Sequence, residues 1–376
     1  MQQSDTQFSK LQWLLIVGGL VLYVGDIGTD VALALTYFQE AQYAWSGLTV
    51  MFILSGMLVT QIFSYAWFWD DTRNGEETTA GMSKRKFAAL HVLGMGIFTR
   101  YYHLLKEGFK ELWTTTNANQ AEVPERHLRL FCMATDLSML KLFETFLEGA
   151  PQLLLQLYIQ GRHEWPLLRI ISVAFSFCNM AWSLVDYRRN LRRSLPHIRD
   201  MPSGVPTAVY LFYKLGTISS VILSYSFLLT LSIYSTIAFT LFWLLGTTWA
   251  HWLQTDFCSS RVLELLYRAV VGVILVFSFF NVKGQNTKEA MVIFYFFHSV
   301  VSVAAPLLLA FLKPELQSTT YFWTVGGLIY GGLLVGLLCL VLYYRFLHPR
   351  PPDFDEVDGL KTETATANRL RTFLQF

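Results

Sequence analysis

The sequence predicts an all-α polytopic membrane protein of about eight transmembrane helices plus partly inserted ones. Three observations lead there. The chain is 53% hydrophobic and 15% charged over 376 residues, whereas a soluble domain is about 25% charged. Apolar runs long enough to cross a bilayer, which takes about 20 residues, recur along its whole length. The remaining positive charge gathers between runs, as loop asymmetry in membrane proteins requires.

The candidate spans are 12–37, 45–69, 130–160, 166–187, 207–232, 234–253, 262–281, 288–312 and 319–346. Between the second and third lies 70–129, whose "KRKFAALHVLGMGIFTRYYHLLKEGFKELW" has an amphipathic pattern suited to the membrane face or to partial insertion. The segment "RRNLRRSLPHIR", 188–199, holds five arginines and no acid, which assigns 188–206 to the cytoplasm. Two spans before residue 70 and two more before 188 then put the N-terminus in the cytoplasm as well. The tail, discussed below, argues for a cytoplasmic C-terminus, so one of the five later candidates does not cross. The segment 234–253, with Trp and His crowded at one end and almost no linker before it, is the one expected to be re-entrant or interfacial. The organisation expected is a membrane half 1–187 with the insertion 70–129, a basic loop 188–206, a second half 207–346 and a regulatory tail 347–376. Similarity between the halves is weak for a repeat.

Composition and motifs exclude several functions. A net charge of +2 offers nothing to a nucleic acid. Cys132, Cys178, Cys258 and Cys339 form no CxxC pair, the histidines have no metal-ligand spacing, and P-loop, GxSxG and HExxH motifs are absent. No cofactor and no metal are expected.

Charges inside the spans are the informative residues, because each costs about 2.5–3.5 kcal/mol at mid-bilayer on insertion scales. Asp26 and Asp30 share a face of the first span. The third carries Asp136 and Lys141, then Glu144, Glu148, Gln152 and Gln156 at four-residue spacing, which stacks the last four on one helix face. Pro151 breaks the hydrogen-bond ladder within that stripe, and Gly149 permits close approach. Asp186 ends the fourth span, Lys214 lies two turns into the fifth, and Glu264 and Arg268 are one turn apart in "VLELLYRAVVG". Internal pairing explains any single member, Glu264 with Arg268 above all; Asp26 or Glu148 could equally meet Lys214 or Arg268. The whole set, concentrated on two helices, reads as a path. Trp45, at the edge of the second span, is either an interfacial anchor or a gate facing Asp30 or Glu148.

After the last span, a Pro-rich linker leads to "DEVDGL". An acidic run on a tail is often merely solvated. Here Asp355, Glu356, Val357, Asp358 and Gly359 match the preferred executioner-caspase sequence at every position, and cleavage after Asp358 is expected. Beyond it, Leu370, Phe373 and Leu374 share an apolar face flanked by Arg369 and Arg371, suited to plugging a cavity with acidic walls.

The stretches "DLSMLKLFETFLEGAPQLLLQLYI" (136–159), "YLFYKL" (210–215), "LLYRAVVG" (265–272) and "FFNVKGQNTK" (279–288), with Asp26 and Asp30, resemble the XK-related family of plasma-membrane proteins over essentially the whole chain. The caspase motif resembles the apoptosis-responsive branch. The resemblance implies a phospholipid scramblase exposing phosphatidylserine on dying cells, eight spans, a C-terminal helix held in a cytoplasmic cavity until cleavage, and a lipid path at Asp26, Asp30, Glu144 and Glu148. It also implies, for some members, a single-pass immunoglobulin-type partner. An exofacial cysteine ties the founding member to a protease, but 313–318 has no cysteine. The expected partners are therefore phospholipids and a caspase, with Lys214 or Arg268 meeting headgroup phosphate. The rival readings are an ion- or proton-coupled transporter, since buried acids also mark ion sites, and a membrane adaptor whose charges only hold the fold.

Overall fold

The structure is a computed structural model describing residues 8–73, 84–114, 123–160, 167–195, 201–202, 204–255, 257–258, 260–282 and 288–348. The caspase motif Asp355–Gly359 and the inhibitory positions Arg369, Leu370, Phe373 and Leu374 lie outside these residues. Among the described residues the secondary structure is helical: α1 Lys10–Gln39, α2 Tyr43–Arg73, α3 Lys84–Val92, α4 Gly96–Phe109, α5 Val123–Glu144, α6 Ala150–Gln160, α7 Leu167–Arg193, α8 Val205–Leu231, α9 Ser235–Trp252, α10 Arg261–Phe277, α11 Lys288–Leu312 and α12 Thr320–Leu342. The protein is an all-α polytopic membrane protein. Six helices are long and apolar enough to cross a bilayer: α1, α2, α7, α8, α11 and α12. The run α5–α6 carries charges that remove it from that set, and α10 has only 17 residues. The 18-residue α9, expected not to cross, is also outside the six.

Chain contacts define two compact units. Of the described residues, the first comprises those within 1–144 and 186–200, the second those within 145–185 and 201–348.

In the first unit, Ser9 caps α1 and Gln12 returns the bond to the Ser9 amide, so both polar ends of the first turn are satisfied. The inner face of helix α4, which was expected at the membrane face or partly inserted, packs Ile97, Tyr101 and Leu104 with Tyr23, Leu130, Phe131 and Leu137 in a core shared by α1, α4 and α5. The periodicity that suggested an interfacial helix is equally that of a helix with one face against protein. The turn from α3 to α4 passes through Gly94 at φ +77°, a conformation costly for other residues. Gln61 of α2 clasps this turn, its amide donating to Gly94 O at 3.1 Å and accepting from Gly96 N at 2.8 Å.

In the second unit α8 is central, packing on α6, α9, α10, α11 and α12. Its hydroxyls bond back to its own carbonyls, as Ser224 to Ser220 O at 2.6 Å and Thr217 to Tyr213 O at 2.9 Å. These two side chains therefore enter the core with their donors paired. Gly216 of α8 lies against Gly332 and Gly336 of α12, where small residues four apart let backbones touch.

The arginines 188, 189, 192 and 193, expected in a loop, complete α7 as helix. Between α5 and α6, Thr145–Gly149 forms a π-helical turn. The helical run continues from Val123 to Gln160, but this turn takes an extra residue.

Candidate functional site

The charged residues sort into a cluster and several clasps. Asp26 and Asp30, one turn apart on α1, are exposed and half-buried respectively. Glu144, on the last turn of α5, lies within electrostatic reach of both, and the Tyr23 hydroxyl donates to its carboxylate. Lys141 stands among Asp26, Glu144 and Asp186, with its Nζ 5.8 Å from the Tyr101 ring centre. Asp186, at the first-unit end of α7, hydrogen-bonds Asn190 and senses Arg189 and Arg193. Three helices, α1, α5 and α7, thus bring Asp26, Glu144 and Asp186 around Lys141, with Asp30 close to Glu144. Asp26 is exposed, and Asp30, Lys141, Glu144 and Asp186 are half-buried.

Asp136, two turns before Glu144, is outside this cluster. Its carboxylate is 3.2 Å from Arg100 NH1. Arg100 also donates to Ser64 Oγ at 2.8 Å and Ser64 O at 2.9 Å, and its guanidinium lies 5.7 Å from the Trp67 ring. Both partners are largely buried. The grouping of Asp136 with the path residues is corrected by this pairing: it is a clasp holding α2, α4 and α5 together.

The expected stripe is also corrected. The π turn at Thr145–Gly149 takes one residue more than an α turn, so Glu148 leaves the line through Glu144. Glu148 and Gln152 are buried, while Glu144 and Gln156 are half-buried. Glu144 belongs to the first unit and the other three to the second.

Lys214 is 2% exposed in the second unit. Its Nζ donates to Phe279 O at 2.7 Å and to Ser278 Oγ at 3.2 Å, and lies 4.9 Å from the Tyr213 ring centre. These bonds hold Lys214 to the segment that follows α10. The Tyr213 and Tyr295 hydroxyls hydrogen-bond beside it. Lys214→Met is expected to strand the Phe279 carbonyl, costing about 1–3 kcal/mol, and to lower the melting temperature of the purified protein. An unchanged melting temperature would show that these bonds are dispensable.

Arg268 pairs with Glu264 at 3.3 Å, as its spacing indicated. It also donates to Thr255 Oγ1 at 2.9 Å and bonds His251 Nδ1 at 2.7 Å. Glu264 accepts from Phe257 N and Cys258 N at 2.9 and 2.8 Å. The pair therefore ties down the connection between α9 and α10, which replaces its expected contact with phosphate. Trp45 is half-buried in the first turn of α2. Ser46 Oγ donates to Ala34 O at 2.9 Å, which places that turn one helical turn beyond Asp30 along α1.

Sequence reasoning missed Tyr23, Tyr101 and Arg100. The signal for Arg100 was present: one arginine on the apolar side of an amphipathic stretch needs a buried acid.

These features define a multi-pass helical membrane protein with an intramembrane charge cluster. The chain belongs to the XK-related family: the family described as XK-related protein matches residues 14–349. It is 53% identical to XK-related protein 9 of Tetraodon nigroviridis, over 98% of this chain and 99% of that one. It is 31% identical to XK-related protein 8 of Gasterosteus aculeatus, over 93% and 88% of the two chains.

Proposed function

We propose that this protein is a passive phospholipid scramblase of the plasma membrane, switched on when a caspase cuts after Asp358, and that it exposes phosphatidylserine in dying cells. The observation that carries the reading is the Lys141 cluster. Four carboxylates and one lysine sit at membrane depth, and Asp26 is exposed on a helix with almost no buried residues in its apolar stretch. A charge that only held the fold together would be enclosed, as Asp136 is. Acids left accessible offer a sliding headgroup a succession of partners while its acyl tails stay in lipid. No bond is made or broken, so no catalytic residue is required. The basic end of α7 and the tail motif both favour cytoplasmic termini.

The inhibitory part of the reading is narrowed by the clasps. Asp136 was one expected acidic partner for Arg369 and Arg371, but Arg100 occupies it. Glu144 and Asp186 remain as walls that a tail could meet. Trp45, one turn beyond Asp30, fits a gate better than a distant anchor.

Reconstitution of the purified protein in liposomes tests this. Asp26→Asn with Glu144→Gln should slow lipid transfer per molecule about tenfold, the equivalent of ~1.4 kcal/mol in the barrier. Surface level and melting temperature should stay unchanged. A chain stopped at Asp358 should transfer lipid without caspase, and Asp358→Ala should stay silent with it. Transfer that saturates with a small solute or follows an ion gradient would favour a coupled transporter. Normal transfer in the double variant would make the cluster structural.

A further inference from the structure

Four chain segments remote in sequence meet at one end of the first unit. Trp13 Nε1 donates to Leu105 O at 2.9 Å, joining the first turn of α1 to the end of α4. Phe8 N donates to His127 Nδ1 at 3.2 Å, and the Phe8 ring meets Phe131 edge-on at 6.1 Å, which adds the start of α5. Arg126 lies 3.8 Å from Glu111, on the π turn that follows α4. The Arg193 guanidinium, 5.7 Å from the Phe131 ring centre, brings in the last turn of α7.

Charge accumulates there because each segment contributes its own. The end of α4 and its π turn bring two lysines, α1 brings one, α5 brings two arginines and α7 brings four, against Glu107, Glu111, Glu125 and Asp186. Lys106, Lys110 and Arg129 are exposed. Aromatic rings stand among these cations. Phe109 and Trp113 are 50% and 45% exposed and stack at 4.9 Å, with Lys10 Nζ 5.6 Å from the Trp113 ring. Clustered cations interleaved with exposed amphipathic rings are the composition of a surface seated among lipid headgroups. A soluble acidic segment would use the cations but leave the rings in water.

We propose that this end of the first unit is a docking surface for anionic phospholipid headgroups, which meets the Lys141 cluster at Arg193 but acts independently of lipid transfer. It would enrich anionic lipid in the leaflet it contacts, next to the helices that carry the cluster.

The test uses the full chain in a neutral detergent, titrated with short-chain phosphatidylserine or phosphatidylcholine, with bound lipid counted by native mass spectrometry. Phosphatidylserine should bind about tenfold more tightly, and high salt should erase the preference. The variant Lys110→Gln/Arg129→Gln/Arg192→Gln should lose it at an unchanged melting temperature. If that variant is unstable, Lys106→Gln/Lys110→Gln, at exposed positions, should still weaken it. A preference surviving in both variants overturns the proposal. So does a preference absent from the intact chain and present only in one stopped at residue 348, because the occupant would then be the protein's own tail.

Discussion

Gly216→Val is expected to abolish a folded second unit, while Gly331→Val, on the partner helix, should be nearly silent. A Cβ at Gly216 would lie 2.6 Å from Gly332 O, 2.8 Å from Gly336 N and 2.9 Å from Gly336 Cα. All three are backbone atoms, so no side chain can rotate away and two helices must separate instead. Core overpacking costs about 1–3 kcal/mol when side chains can give; here the loss should exceed that range. Gly331 has nothing within 4 Å. Size-exclusion profiles and melting temperatures of both variants in detergent decide the matter. A monodisperse Gly216→Val protein that melts like the parent would mean α8 and α12 are not in backbone contact.

Arg100→Met is expected to destabilise the first unit by about 3–5 kcal/mol, because it leaves the Asp136 carboxylate buried without its cation. Adding Asp136→Leu should recover most of that loss, since the pair would be replaced by apolar groups of similar size. Lipid transfer per molecule should match the parent in the double variant. Thermal unfolding followed alongside transfer separates the outcomes. A stable double variant with slowed transfer would return Asp136 to the lipid route.

How far the sequence could be read depended on the range of the interaction. Six of the nine candidate spans were legible because they rest on composition over about 20 residues. The Glu264–Arg268 pair was legible because one helical turn joins it. The Asp136–Arg100 pair was not, since α4 was placed at the membrane face or partly inserted and only tertiary packing brings Arg100 to Asp136. The four-residue stripe failed for a different reason. Pro151 announced a break, but the π turn absorbs it upstream, at Thr145–Gly149, and spacing rules assume a uniform helix. Asp26, Asp30, Lys141, Glu144 and Asp186 were among the residues the sequence singled out, but nothing in it separated them from Asp136, Glu148, Lys214 or Arg268; their approach to Lys141 could be seen only in three dimensions.

The deep burial of α8 has a consequence for biosynthesis. This helix is completed at Leu231, and the helix that meets it at Gly216 begins only at Thr320. At ~5–20 residues per second of synthesis, it waits several seconds for that partner. Through this interval Lys214 has neither the Phe279 carbonyl nor the Ser278 hydroxyl beside it, and a lone lysine in lipid is penalised by about 2.5–3.5 kcal/mol. The same side chain therefore opposes insertion early and locks the assembled unit late. Replacing it with methionine should help the nascent helix enter the bilayer and harm the finished protein, so membrane integration and final yield would move in opposite directions.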